Sequence, residues 1–202
     1  MRCGTASLAW LLMPLTIAIP VVAQPNTDKY QREVPPGLVE EMSAARSERR
    51  QGAHAAAIEK LDRVLEQQPD YYLALYNRAL AKAQSGDTEE ALLDFEAAAV
   101  VKQRDQIRDG TFYNSYGWTL YLEGRLGEAE QWLTKALETD EPRSSQTLRK
   151  IRNNLAAVHL LRGSYDDSRE LLQQNVAVEV SDFAQRGLVT IERVQSAAPP
   201  PR

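Results

Sequence analysis

The sequence has very few residues of the kinds that form disulfides, thiolate sites or histidine-rich sites. Among its 202 residues there is one cysteine, Cys3, and there are two histidines, His54 and His159. A single thiol excludes an internal disulfide and a multi-cysteine metal site. The motifs HExxH and GxSxG and a glycine-rich phosphate loop are also missing. The sequence therefore predicts no catalytic residue, no cofactor-binding residue and no metal site, and we expect a protein that is not an enzyme.

Basic residues are in deficit. Lysine and arginine number 24 against 28 aspartates and glutamates, for a formal net charge of −4. A dedicated nucleic-acid binder normally carries a basic excess, so no nucleic-acid partner is expected. The composition is 43% hydrophobic and 26% charged, which is ordinary for a folded soluble protein. The length suits one domain or one short repeat array.

Only one long apolar run occurs, and it lies at the N-terminus. Arg2 precedes residues 7–22, which are nearly all apolar. The stretch Val21-Val22-Ala23 then offers small residues before Gln24. This is the layout of a secretory signal peptide, which we predict at residues 1–23. At about 16 residues the run is shorter than the roughly 20 that a spanning helix needs. We expect an exported, disulfide-free protein, most simply periplasmic rather than secreted. The alternative is an uncleaved segment that anchors the protein in a membrane.

Prolines and polar residues mark both ends of the remaining chain. Residues 24–37 are predicted to be a flexible linker, because they are polar and end in Pro-Pro-Gly. Residues 196–202 end in three prolines and an arginine and are predicted to be a disordered tail. Between these segments no run of alternating β-branched residues is long enough for a sheet, so an all-α fold is expected.

Four glycines recur at spacings of 34, 38 and 39 residues, and the same pattern surrounds each one. A small residue follows each glycine by five positions, and a large apolar residue follows by nine. The glycines are Gly52, Gly86, Gly124 and Gly163; the small residues are Ala57, Ala91, Ala129 and Ser168; the large ones are Leu61, Phe95, Leu133 and Leu172. A further small residue stands seven positions before each glycine, at Ala45, Ala79, Gly117 and Ala156. Glycine ends a helix in the left-handed conformation at little cost, and small residues let two helices approach closely. The pattern predicts four helical hairpins.

These positions resemble the tetratricopeptide repeat over about residues 38–176. The match is weaker in the fourth unit, where Ser168 replaces alanine and no proline closes the repeat. The resemblance implies a right-handed α-solenoid with repeats at 38–71, 72–109, 110–148 and, in degenerate form, 149–179. A capping helix is expected at 180–195, where an apolar stripe would cover the last repeat. The stripe consists of Val180, Phe183, Leu188, Ile191 and Val194.

The resemblance also implies that the first helix of each repeat lines a concave groove. The side chains expected to point into it are Tyr76, Asn77, Asn114, Trp118, Tyr121, Asn153 and Asn154. An asparagine amide both donates and accepts, so it can pair with an extended peptide backbone of any sequence. Asn77 and Asn154 occupy the same position in their repeats and resemble a partial asparagine ladder. The alternative is that the asparagines brace neighbouring helices and that the aromatic residues are core.

A basic patch is expected on the first helix, at Arg46, Arg49 and Arg50. It would suit a carboxylate or an acidic partner. Glutamates at positions 40, 41 and 48 of the same helix favour another interpretation, a solvated face of mixed charge. The two-lysine carboxylate clamp of chaperone-binding relatives is not matched, since Met42 and Thr111 stand where that pattern has lysine.

Together these features predict a non-catalytic scaffold or adaptor of the cell envelope. It would bind a protein partner, as a peptide or a helix, in the groove and would use no cofactor. Two alternatives remain open: a membrane-tethered assembly factor with an uncleaved anchor, and an enzyme whose site is not recognised. The sequence does not identify the partner, the pathway or the oligomeric state.

Overall fold

The computed structural model of the protein describes residues 35–141, 144–176 and 182–197. Within these ranges the chain forms nine α-helices and no strand. They are α1 (Pro36–Arg50), α2 (His54–Gln67), α3 (Tyr72–Ser85), α4 (Thr88–Arg104), α5 (Phe112–Leu122), α6 (Leu126–Glu138), α7 (Ser145–Arg162), α8 (Tyr165–Val176) and α9 (Asp182–Ala197). The predicted signal peptide, nearly all of the linker and most of the tail lie outside the described residues. None of the nine helices has the length and apolar character that crossing a membrane requires.

The first eight helices pair into four hairpins, α1–α2, α3–α4, α5–α6 and α7–α8, and each hairpin packs on the next. The turn glycines have φ values of +84° at Gly52, +101° at Gly86, +74° at Gly124 and +80° at Gly163. A residue with a Cβ is strained in this left-handed region, which explains glycine at each turn. The four hairpins predicted from the glycine pattern, and the all-α repeat solenoid that the resemblance implies, are confirmed.

Small residues bring the helices of each hairpin together, as expected. Ala45, Ala79 and Ala129 are fully buried. The closest approach occurs at Gly117 of α5, where an added Cβ would lie 2.8 Å from Cγ of Leu133 and 3.2 Å from the carbonyl oxygen of Ala129. Glycine is therefore required there by the packing, since the φ of Gly117 is not in the left-handed region.

The centre of the core is a cluster of aromatic rings that joins the second and third hairpins. Phe112 is fully buried, and its ring centroid lies 5.7–6.0 Å from those of Tyr72, Tyr76, Phe95 and Tyr116. The rings are mostly tilted or edge-to-face, which is the favoured geometry for aromatic pairs. Since these residues come from α3, α4 and α5, the cluster stabilises the interface between repeats as well as each repeat.

A partly buried ionic network ties the first two hairpins together. Arg78 of α3 donates to both carboxylate oxygens of Asp94 in α4, at 2.8 and 2.6 Å. Its third nitrogen donates to Asp62 of α2 at 2.7 Å, and Lys82 lies 3.0 Å from Asp94. The bidentate geometry explains how a nearly buried carboxylate is tolerated at this position.

Two predicted boundaries need correction. The first helix begins at Pro36, so the predicted linker overlaps it by two residues; proline is compatible with a first helical turn because its missing N–H would be unpaired there. The helix α7 begins at Ser145, inside the segment assigned to the third repeat. Oγ of Ser144 accepts a hydrogen bond from the backbone N–H of Thr147 at 3.1 Å, which is an N-cap that starts the helix early.

The capping helix α9, Asp182–Ala197, packs against α8 and α7 and extends two residues beyond the predicted end at 195; Val180 of the predicted stripe lies outside the described residues. Ile191 is fully buried, but Phe183 is 44% exposed and Val194 is 39% exposed, so only part of the predicted stripe faces the fourth hairpin. The fully buried Ala184, which the stripe omitted, contributes instead. A Cβ added to Gly187 would lie 2.6 Å from Cδ1 of Leu172, so small residues let α9 approach closely.

Candidate functional site

The first helices of the hairpins form a continuous row. The helices α1, α3, α5 and α7 contact one another in that order, and α9 extends the row by its contact with α7. We call the outward side of this row the first-helix face. It is the surface on which the sequence pattern places the candidate binding residues.

Two of those residues, Tyr76 and Asn77, are buried. Asn77 donates from Nδ2 to the carbonyl oxygen of Leu73 in its own helix, at 2.7 Å. The hydroxyl of Tyr76 lies 2.9 Å from Oγ of Ser115 in the next first helix and 3.2 Å from Oγ1 of Thr111, which immediately precedes that helix. The prediction that these two side chains line an open groove is therefore corrected, because both are buried: Tyr76 bonds to the next repeat and Asn77 bonds within its own helix.

The other asparagines also bond within the chain. Nδ2 of Asn154 in α7 donates to Oδ1 of Asn114 in α5, at 2.9 Å. Oδ1 of Asn153 accepts from Nδ2 of Asn175, at 2.7 Å. The structure thus brings Asn114 and Asn154 together but leaves Asn77 apart. The bracing alternative describes Asn114, Asn153 and Asn154 better than a ladder does, whereas Asn77 bonds only within its own helix.

An aromatic pair from the predicted set stays accessible. The rings of Trp118 and Tyr121 in α5 are stacked, with centroids 4.6 Å apart and planes at 20°. Both side chains are partly exposed. Their stacking fixes two large apolar surfaces on the first-helix face.

Exposed leucines and a phenylalanine extend this pair into a larger surface that the sequence analysis missed. Leu122 is 48% exposed, Leu161 is 60% exposed, and Phe183 is 44% exposed. A cavity of about 320 Å³ opens between α5, α7, α8 and α9, and its lining includes Tyr121, Leu160, Leu161 and Phe183. We call Trp118, Tyr121, Leu122, Leu160, Leu161 and Phe183 the apolar patch. In the sequence, this patch is indicated by Leu122 and Leu161, the apolar residues two positions before the last two turn glycines.

The predicted basic patch is present at the other end of the row. Arg46 and Arg50 are exposed and Arg49 is half-buried. Nη1 of Arg49 donates to Oε1 of Gln84 in α3 at 3.2 Å, while its buried Nε has no hydrogen-bond partner. Burial lowers the pKa of Arg49; the nearby hydroxyl of Tyr76 opposes this shift, and the charges of Arg46 and Arg50 add to it.

The glutamates of α1 do not neutralise this patch. Glu41 accepts from Arg63 at 2.6 Å, and Glu48 accepts from Lys60 at 2.7 Å, so both are directed towards α2. None of the three patch arginines forms an ion pair with another residue of the described ranges. The interpretation as a face of balanced mixed charge is therefore not supported, because two of the three acids have partners elsewhere.

A second cavity, of about 670 Å³, lies between α4, α5 and α6. Its cations are already engaged: Lys102 lies 2.8 Å from the carboxylate of Glu141, and Lys135 sits 4.7 and 5.0 Å from the ring centroids of Tyr113 and Trp132. The described part of the chain contains no cluster of three histidines, cysteines or acidic residues suited to a metal ion.

An array of two-helix units, each turned at a left-handed glycine and stacked on the next, defines the class of helical repeat proteins. Sequence models of the tetratricopeptide repeat match residues 42–107 and 110–142. The chain belongs to the tetratricopeptide repeat family. The fourth hairpin lies outside both matches, in agreement with its departures from the repeat pattern.

Solved structures share the architecture at low sequence identity. The MamA protein is 14% identical, with 79% of this chain and 82% of that chain covered and a TM-score of 0.66. The pilF protein of Pseudomonas aeruginosa is 17% identical, with coverages of 79% and 69% and a TM-score of 0.67. A tetratricopeptide repeat protein from Parabacteroides merdae is 21% identical, with coverages of 83% and 62% and a TM-score of 0.64. Comparison with curated protein sequences gives no significant match. At such identities the likeness establishes the fold alone.

Proposed function

We propose that the protein is a non-catalytic adaptor of the cell envelope that binds a segment of a partner protein on its first-helix face. The observation that carries the proposal is the apolar patch. Monomeric proteins rarely leave large apolar residues exposed side by side unless the surface binds something. The repeat family supports a protein-interaction scaffold in general, and the patch supplies a specific surface for one.

The chemistry of the patch suits a protein side chain better than a reaction. Trp118 and Tyr121 are held by their mutual stacking, so little conformational entropy is lost when a partner covers them. Aromatic residues in partly desolvated positions are the usual anchors of protein interfaces. The cavity beside them is lined mainly by apolar side chains and takes one or two apolar groups of a partner.

The envelope location rests on the N-terminal pattern alone. Residues 7–22 have the length and flanks of a signal peptide, so the mature protein would begin at Gln24. N-terminal sequencing of the protein purified from its native host tests this. An intact Met1 together with membrane fractionation would support the tethered alternative instead.

A charge placed in the patch tests partner binding. Leu161→Asp should reduce the amount of partner recovered with the protein from native envelope by at least about tenfold, because a buried interface carboxylate is left unpaired. Leu93→Asp is the matched control, since Leu93 is 66% exposed on α4, a second helix, outside the first-helix face.

The wild type and Leu93→Asp should recover the same partner in equal amounts. Circular dichroism should show equal helicity for all three proteins. Equal recovery with Leu161→Asp would overturn the assignment of the surface. Equal loss with Leu93→Asp would also overturn it, because the effect would not be specific to the first-helix face.

A further inference from the structure

We propose that the partner segment is extended and has two chemical halves, an acidic half on the first hairpin and an apolar half on the third and fourth. This inference rests on the proposed function and specifies the class of partner. It follows from the chemistry of equivalent positions along the row of first helices.

The residue two positions before each turn glycine changes in one direction along the row. It is Arg50 in the first hairpin, Gln84 in the second, Leu122 in the third and Leu161 in the fourth. The residue three positions before the glycine follows the same order, as Arg49, Ala83, Tyr121 and Leu160. The first-helix face therefore passes from basic through neutral to apolar over the four hairpins.

The arginines of the basic patch on α1 are available to bind an anion. Arg46 and Arg50 are exposed, and neither forms an ion pair with another described residue. A guanidinium binds a carboxylate through paired N–H groups, and such charge-assisted bonds are stronger than neutral ones. A segment with two or more acidic residues would satisfy these donors.

The chain as a whole is negatively charged, so the attraction between an acidic segment and the arginines of α1 is a local effect. The net charge is −4, so an acidic segment gains nothing from the protein as a whole. Exposed charges are screened beyond about 10 Å at 0.1 M salt, so the arginines of the patch act on acidic residues that lie close to them.

The geometry gives the spacing between the two halves. Packed helices lie about 8–10 Å apart, so α1 and α5 are separated by roughly 16–20 Å. An extended chain rises about 3.3 Å per residue, so this distance corresponds to about five or six residues. The segment should therefore carry its apolar anchors about five or six residues from its acidic residues.

Synthetic peptides with a fluorescent label test the inference by anisotropy with the full mature chain. The first peptide has four acidic residues, about six serines and then Leu-Phe-Leu. Four companion peptides each carry one change. One has lysines in place of the acidic residues, one has serines in place of the apolar residues, one has a spacer of about two serines, and one has the two halves in reverse order. The first peptide or its reversed form should bind at least about tenfold more tightly than the other companions.

Matched charge reversals test the basic end. Arg46→Glu should weaken binding of the better peptide about tenfold, and raising salt from about 20 to about 200 mM should weaken the wild type similarly. Arg193→Glu changes the net charge by the same amount on the exposed surface of α9 and should have little effect. Equal weakening by both reversals would overturn the inference.

Other outcomes separate this inference from the proposed function. If Leu161→Asp abolishes peptide binding while Arg46→Glu leaves it unchanged, the two-halves inference is wrong and the proposed function stands. If neither substitution affects binding, both are wrong. Binding to phosphatidylglycerol vesicles with no binding to any peptide would also overturn the inference, because the patch would then be a membrane surface.

Discussion

The third and fourth hairpins are both helix pairs joined at a left-handed glycine, but the chemistry between their helices differs. Five and twelve residues after its turn glycine, the third hairpin has Ala129 and Ala136, both fully buried. The fourth hairpin has Ser168 and Asn175 at the same positions, and these polar residues are buried as well. A tetratricopeptide-like hairpin therefore does not require an apolar seam.

The polar seam is tolerated because its groups are paired. Oγ of Ser168 donates to the carbonyl oxygen of Ala156 at 2.8 Å. Nδ2 of Asn175 donates to the carbonyl oxygen of Arg149 at 2.9 Å and to Oδ1 of Asn153 at 2.7 Å. Buried polar groups are costly only when they lack partners. The comparison teaches that close packing stabilises the third hairpin and directed hydrogen bonds stabilise the fourth.

The largest effect is expected in the aromatic centre, which has no counterpart in the fourth hairpin. Phe112→Ala should lower the free energy of unfolding by about 3–5 kcal/mol, because it leaves a cavity among the surrounding aromatic rings. Phe183→Ala, on the exposed side of α9, should change it by no more than about 0.5 kcal/mol. Urea titration followed by circular dichroism measures both. A loss below about 1 kcal/mol for Phe112→Ala would contradict the central role of this cluster.

Gly117→Ala tests close packing in the third hairpin. The added Cβ would meet Leu133, so we expect a loss of about 1–3 kcal/mol in the free energy of unfolding. Gly127→Ala is the control, because the nearest atom to its Cβ would be Nη1 of the flexible Arg162, at 3.3 Å. That change should be neutral or stabilise α6 by up to about 1 kcal/mol. If the two variants are equally stable, the seam of the third hairpin is looser than the structure indicates.

Asn175→Ala tests the hydrogen-bonded seam of the fourth hairpin. It removes the donor to Asn153 and Arg149, and we expect a loss of about 1–3 kcal/mol. In a double-mutant cycle with Asn153→Ala, the two changes should be less than additive because they share one bond. Strict additivity would show that the two amides do not interact.

Ser168→Ala should have a smaller effect. It removes one hydrogen bond but restores the alanine found at this position in the other hairpins, so the net loss should be below about 1 kcal/mol. Ala129→Ser places the same hydroxyl in the third hairpin and is the reciprocal control. We expect Ala129→Ser to be the more destabilising change. The opposite order would contradict the difference between the two seams.

The smallest effect concerns alkaline stability. Burial raises the pKa of Tyr116 from 10.0 to about 12. The folded state therefore keeps this proton while the unfolded state loses it, and stability present below pH 10 decreases as pH rises towards 12. Tyr116→Phe should shift the midpoint of alkaline unfolding upward by a few tenths of a pH unit. A downward shift, with unchanged stability at neutral pH, would contradict this assignment.

The repeat pattern in the sequence was sufficient for the hairpins, their turns and their seams. Gly52, Gly86, Gly124 and Gly163 could be aligned because backbone geometry restricts such turns to very few residue types. The candidate site was predicted less well. Asn77 and Tyr76 occupy positions that face the groove in the family, but hydrogen bonds within this chain use them. Periodicity specifies which side of a helix a residue lies on and does not specify how far the neighbouring helix covers it.

The sequence by itself determined the family, the order of the helices and the places where glycine and alanine are required, because these depend on local backbone and volume constraints. Only the tertiary structure decided which polar groups are paired and which apolar residues remain exposed. The arginines of α1 keep their free donors because Lys60 and Arg63 of another helix take the glutamates. Leu161 and Phe183 meet at one cavity because α9 packs against the last hairpin. Both depend on contacts between helices distant in sequence, which local patterns do not encode.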